Sequence, residues 1–315
     1  MCFVLSIVPS LLRAAVQDFG RNYSFALTTE TDEFALNLSP SDHQSINSVQ
    51  YRPNLLPLNG FQVSVGGLTL AYQTTVARNP ENDRKKGVTS YEDIRGALAL
   101  GDRSQWLLVG YYNRYGGLFI ENSSLLDPSY VAGESYLQRS DISVFNSGLG
   151  ALYVFSPERF SIAASVLQSA KQTESAGSFI ALVGFDGTLF TAGAPLVPSI
   201  VRSDFGQDGN LSEGKFTTVS VSGGYGYTFT KYSFFFTLMG LVGPGYQWRQ
   251  YKVSDEEYSS TVNASKFTVG AALGYNGDSF FAGGSFVSNS TEYATKTVRI
   301  RTQLNSARFF VGLRF

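Results

Sequence analysis

Residues 216–229 alternate strictly. Val219, Val221, Gly223, Tyr225, Tyr227 and Phe229 fall on one side of an extended backbone, and Ser220, Ser222, Gly224, Gly226 and Thr228 on the other. A period of two is the signature of a strand with one apolar face. The pattern recurs at 265–275, where Phe267, Val269, Ala271, Leu273 and Tyr275 oppose Lys266, Thr268, Gly270, Ala272 and Gly274. It recurs again at 68–76 and at 160–167. No apolar face among these carries a charge. A Lys or Arg facing lipid near the bilayer midplane costs roughly 2 to 4 kcal/mol, so lipid would enforce this pattern. The C-terminal "SARFFVGLRF" repeats it, with Ala307, Phe309, Val311, Leu313 and Phe315 on one side and Ser306, Arg308, Phe310, Gly312 and Arg314 on the other.

Links between the predicted strands are short and long in turn. "NGD" at 276–278, "TKYS" at 230–233, "SPE" at 156–158, "GDR" at 101–103 and Gly66-Gly67 are short; 291–301, 251–263, 118–140 and 78–87 are longer. Outer-membrane barrels have this rhythm, with tight periplasmic turns and long external loops. The expected fold is therefore all-β, a transmembrane antiparallel up-and-down barrel of about twelve strands. They fall near 45–52, 59–66, 68–77, 89–100, 104–115, 140–155, 159–171, 214–229, 233–249, 264–275, 279–291 and 302–315. Residues 21–38 would make fourteen if they formed an extra hairpin, and 178–190 reads as a strand or a folded-in loop. Pro244 cannot donate to a ladder and calls for a bulge.

Composition supports a sheet in lipid. Of 315 residues only 16% are charged, below the roughly 25% of a soluble domain, while Gly (32), Phe (25) and Tyr (18) are abundant. A net charge of -1, with no basic cluster beyond Arg84, Lys85 and Lys86, gives nucleic acid no positive surface to bind. The most apolar stretch, 232–248, is a little short for a spanning helix and holds Gly240, Gly243, Pro244 and Gly245. A closed barrel remains the way to satisfy the backbone in a membrane. The apolar run 2–12, followed by Ala14 and Ala15, resembles a secretory signal without its basic start. The expected organisation is thus a signal segment over 1–15, a periplasmic segment or extra hairpin over 16–44, and a barrel over 45–315. The single cysteine, Cys2, forms no internal disulfide.

Two resemblances extend this reading. The C-terminal stripe of Phe309, Val311, Leu313 and Phe315 is similar to the terminal signal of outer-membrane barrels, which implies that the barrel-assembly machinery is a partner during insertion. "VQYRPNLLPLNGFQVSVGGLTLAYQ" (49–73), "ERFSIAASVLQSAKQTESAGSF" (158–179) and "LGYNGDSFFAGG" (273–284) resemble an uncharacterised family of Gram-negative proteins, known as a domain of unknown function and regarded as outer-membrane barrels. That resemblance implies a bacterial outer-membrane location, with lipid and lipopolysaccharide as surroundings, and transfers no functional residue.

The chemistry legible in the sequence is sparse. A lipid hydrolase like outer-membrane phospholipase needs a Ser, His and Asn together. The only histidine, His43, lies in the polar stretch "SPSDHQS" and is expected as a solvated turn residue. No catalytic residue, cofactor or metal site is expected; the acidic loop of Asp204, Asp208 and Glu213 lacks the spacing of a calcium loop. Glu92 and Asp93 point to opposite faces of a strand, whereas Asp93 and Arg95 share the face opposite Ile94, Leu98 and Leu100. Asp93, Arg95, Lys266, Arg308 and Arg314 are therefore candidate lumen-lining residues, with Lys171 at an outer end. Such a lumen either passes small polar solutes or is plugged by its own charges. The first expectation is a small-solute channel; the second is a structural or surface-interaction barrel with functional external loops; the third is a lipid-modifying enzyme.

Overall fold

The computed structural model describes residues 15–19, 23–41, 48–75, 78–127, 129–131 and 133–315. Thirteen strands form one antiparallel sheet that closes on itself where the last strand pairs with the first long one. In chain order the strands are β1 (Val16–Asp18), β2 (Tyr23–Pro40), β3 (Val49–Arg52), β4 (Leu58–Val65), β5 (Leu68–Thr74), β6 (Ser90–Leu100), β7 (Trp106–Ile120) and β8 (Leu137–Val154). They continue as β9 (Ala170–Gln172), β10 (Ala176–Thr191), β11 (Leu211–Lys231), β12 (Phe234–Val253), β13 (Glu256–Asn276), β14 (Phe280–Ala294) and β15 (Val298–Arg314). β1 and β9 pair separately. Closure runs from Val298 opposite Pro40 to Arg314 opposite Ser24.

Twelve strands make the wall at membrane level, but two of them differ from those expected. β2 is one unbroken wall strand, so Tyr23–Pro40 is neither a periplasmic segment nor a hairpin, and the described wall begins at Tyr23 rather than at 45. Residues 159–171 form no wall strand; their apolar groups turn inward around a π-helical turn, Ala163–Leu167, and β10 takes the wall position. The expected strand at 45–52 is only the four-residue β3, which bridges β2 and β7 above the shorter strands β4, β5 and β6. One strand there does the work of three, and the barrel narrows at that end.

The short turns 66–67, 232–233 and 277–279 lie at one end, with both ends of the sheet, and mark the periplasmic side. Above it, outward side chains form an uncharged belt: Phe25 and Leu27 on β2, Val219 and Val221 on β11, Leu238 and Val242 on β12, all exposed. Aromatic pairs edge the belt. Trp106 lies 4.7 Å from Tyr153 and Phe234 lies 5.3 Å from Tyr275 at the periplasmic rim, while Tyr246 and Trp248 pair at 5.1 Å above. A closed ladder with such a belt is a structure made for lipid.

Two expectations about turns are corrected. Residues 251–263 and 291–301 are not loops but tall extensions of the hairpins β12–β13 and β14–β15, closed by tight turns. Pro244 needs no bulge: the β11–β12 ladder opens over Val221–Ser222 and Gly243–Pro244, two residues on each strand, and resumes in register. The ladders are irregular instead over Leu211–Glu213, at the external end of β11, and at Gly117 on β7, whose φ of 84° suits glycine. Gly117 shifts the inward phase from Tyr115 to Leu118 and Ile120, which join the external core.

Candidate functional site: a sealed and charged lumen

Both ends of the barrel interior are filled. At the external end the connection between β10 and β11 folds inward, and Leu196, Val197, Val201 and Phe205 pack on Phe34, Leu36, Tyr51, Phe190 and Phe216 from the wall. Polar clamps hold this cap. Arg139 donates to the carbonyls of Ala194 (2.7 Å) and Pro195 (2.9 Å), and the backbone N–H of Thr297 donates to Asp208 (2.9 Å). That last bond accounts for the acidic loop considered as a cation site: Asp208 is buried and holds the β14–β15 turn.

The periplasmic end is closed by residues 160–170. Phe160, Ile162, Ala163 and Leu167 pack against Leu107, Leu152, Val154, Ile180 and Leu241. Asn276 donates to the carbonyls of Ala164 (3.0 Å) and Ala170 (2.9 Å), and Gln62 donates to that of Leu167 (3.3 Å). Arg314 points inward, donating to the Gln168 and Gly277 carbonyls and stacking between Phe19 and Phe281. Lys171 sits in this plug at the periplasmic mouth, 3.0 Å from Asp278, and not at the outer end. The two cavities that stand out among the described residues, one beside this plug and one under the helix α1 (Pro80–Lys86), are each about 10 Å³, room for a single water.

Between the caps lies a polar layer. Asp186 on β10 accepts from Lys266 on β13 (2.6 Å) and from Tyr111 on β7 (2.8 Å), an arrangement that spans the lumen. Asn146 donates to Asn113 (2.9 Å) and accepts from Thr188 (2.8 Å), tying β7, β8 and β10. Arg308 donates to Gln62 (2.7 Å), the residue that also holds the periplasmic plug.

The densest charge is a knot behind β2. Arg95 contacts Glu30 (2.6 Å), Asp32 (3.6 Å) and Asp93, three carboxylates with no side-chain exposure. Tyr91 donates to Asp32 and lies 2.9 Å from Asp93, and Ser306 donates to Glu30. The carboxylate oxygens of Glu30, Asp32 and Asp93 lie within 4.8 Å of one another, close enough to share a metal ion. An unpaired charge here would be costly, so the knot fixes β6 to β2 across the barrel interior.

Of the sequence candidates, Asp93 and Arg95 sit in the knot, Lys266 and Arg308 in the polar layer, and Arg314 and Lys171 in the periplasmic plug. Phe309, Val311, Leu313 and Phe315 each stand more than half exposed on the outside of β15. His43 and residues 1–14 of the expected signal segment lie outside the described residues. Sequence reasoning missed Glu30, Asp32 and Asp186. A signal for the first two existed, because Thr28, Glu30 and Asp32 share one phase; it was hidden because Thr29, Thr31 and Glu33 put no apolar residue on the other.

A family model described as a domain of unknown function (DUF4421) matches residues 16–315. No curated protein matches the sequence. Among solved structures, the outer membrane protease OmpT from Escherichia coli is similar over 94% of this chain and 98% of its own, at 10% identity and a TM-score of 0.45. Ail, the attachment invasion locus protein of Yersinia pestis, is similar over 94% and 99%, at 11% identity and 0.22. The toluene transporter TbuX of Ralstonia pickettii is similar over 94% and 90%, at 12% identity and 0.31. At these identities and scores none of them lends a residue role to this chain.

Proposed function

The chain belongs to the DUF4421 family, and from that premise we propose that this outer-membrane barrel is a closed structural body whose activity lies in its external rim and not in an open pore. One observation carries the reading: segments from opposite ends fold into the lumen and pack there in apolar clusters, each anchored by buried hydrogen bonds. A diffusion channel for small polar solutes gains nothing from two such seals. Conduction would require both to leave, exposing their apolar surface to water.

The rim has its own built features. Helix α1 starts at Asn79, whose side chain accepts from the backbone N–H groups of Glu81 (3.0 Å) and Asn82 (3.3 Å), and carries Lys85 paired to Glu81 at 2.9 Å. Beside it, Lys86 lies over the rings of Phe119 (5.2 Å) and Tyr136 (5.8 Å), joining the helix to the loop over 121–136. An ordered rim of this kind supports a surface that meets a partner outside the cell.

Planar-bilayer recording of the purified barrel tests the sealed lumen. The expected result is no stepwise conductance from the native protein; steady channels would overturn the reading. Replacing residues 79–87 and 121–136 by short turns tests the rim: the barrel is expected to insert normally while surface binding or the envelope phenotype of the strain is lost. An unchanged phenotype removes the support for that half.

A further inference from the structure

β13 outgrows the strand beside it. It pairs with β12 along its whole length, from Glu256 opposite Val253 to Tyr275 opposite Phe234, with no shift of register. Its pairing with β14 reaches only as far as Phe267 opposite Ser290. Above that level β14 stays with β15 and leans inward: Arg249 on β12 donates to the carbonyl of Ala294, and Lys296 lies 4.7 Å from the ring of Tyr258. Residues 256–266 of β13 are thus left as an edge on the external side.

The base of the strand shows which backbone groups face that edge. The Asn276 N–H donates to the Ser233 carbonyl, on the β12 side, and the Gly277 N–H donates to the Phe280 carbonyl, on the β14 side. Backbone groups alternate in direction along a strand, and no bulge interrupts β13, so even-numbered residues turn to β12 and odd-numbered residues turn away from it. The N–H and C=O groups of Glu257, Ser259, Thr261, Asn263 and Ser265 therefore point out of the open edge, and no described residue bonds them. The five residues are all exposed. Natural edges are usually blunted by a proline, a bulge or a charge. Between Glu257 and Lys266 there is none of these.

We propose that this edge takes up an extended segment of another polypeptide outside the cell, which adds to the tall β12–β13 hairpin as a third strand. N–H and C=O pairs that repeat every second residue, about 6.8 Å apart, are matched by a second backbone and by neither a sugar chain nor a lipid headgroup. The side chains beside the edge are small and uncharged from Ser259 to Ser265, so they let a strand lie close. Glu257 is the one charge among the five edge residues, and a Lys or Arg directly opposite it suits the pairing. A second copy in the same membrane does not fit. A two-fold along the membrane normal would set two such edges parallel, with N–H level with N–H, and no ladder forms. The inference rests on the rim reading and deepens it, naming the kind of partner and a part of the rim other than 79–87 and 121–136.

The test uses the full barrel in detergent and, as probe, a synthetic peptide of residues 246–253. That segment already pairs with residues 256–263 on the other edge of β13 and places Lys252 opposite Glu257. Fluorescence anisotropy of the labelled peptide is expected to show saturable binding of one peptide per barrel. The same peptide with its backbone nitrogens methylated keeps every side chain and is expected to bind at least about 10-fold more weakly. Thr261→Pro removes an N–H from the open edge alone and is expected to weaken binding by a similar factor, whereas Thr261→Val, which keeps that N–H, binds like the native barrel. No saturable binding to the native barrel would overturn the proposal. Equal binding of the methylated peptide would overturn it too, since side-chain adhesion would then suffice. If Thr261→Pro does not fold, the methylated peptide decides alone. Failure here, with surface binding still lost on replacing 79–87 and 121–136, would remove the strand-accepting edge and leave the rim reading standing.

Discussion

Asp186 shows how a single side chain shapes the interior. It is held from β7 by Tyr111 and from β13 by Lys266, so removing either donor strands a carboxylate inside a narrow space. Lys266→Met is expected to lower stability by about 1 to 3 kcal/mol, less than for a fully buried pair because both partners keep some access to water. The midpoint of denaturant unfolding in lipid vesicles measures it. Gly117 gives a second residue-level prediction. Its φ of 84° and its nearness to the Val88 carbonyl leave no place for a Cβ. Gly117→Ala is expected to cost at least about 1 to 2 kcal/mol and to disturb the packing of Leu118 and Ile120 on the external cap. Loss of tyrosine near-ultraviolet circular dichroism at unchanged strand content would report it.

At the level of elements, the wall strands divide their two faces cleanly, and the division predicts different costs at different heights. Val221, exposed on the outside of β11 within the belt, tolerates no charge: Val221→Lys is expected to cost roughly 2 to 4 kcal/mol, against roughly 0 to 1 for Ser259→Lys on the tall part of β13. Equal costs in vesicle unfolding would mean that the belt is misplaced. The same alternation made β11, β12, β13 and β15 legible in sequence, because lipid outside and polar groups inside impose opposite demands on neighbouring residues. It misled at 159–171, where Phe160, Ile162 and Leu167 are apolar because they plug the lumen, not because they face lipid. Burial in a plug and exposure to lipid ask for the same side chains, and only the neighbouring strands tell them apart. The converse happened in β2, whose external half pairs with β3 and β15 and has an outer face of Thr, Glu and Asn. The apolar phase there lies on the inner face, at Phe34, Leu36 and Leu38, so the alternation reverses after Leu27 and the segment did not read as one strand.

For the whole molecule, the two seals sit on either side of one strand: the periplasmic plug leads into β10 and the external cap leads out of it. Both therefore have to be removed before water can cross. Replacing residues 157–172 alone, or 193–209 alone, by short linkers is expected to leave the barrel non-conducting in planar bilayers, and the double replacement to conduct. Conductance from a single replacement would show that one seal is incomplete. The sequence by itself determined the membrane-spanning sheet, the twelve-strand scale, the uncharged outer belt and the inward set of Asp93, Arg95, Lys266, Arg308 and Arg314, because alternation is a local property fixed by the environment on each side of a strand. Only the tertiary structure decided which apolar segments fill the lumen and that Glu30 and Asp32 meet Arg95 behind β2. Those contacts join residues far apart in the chain, and no local pattern encodes which distant strand a buried charge will face.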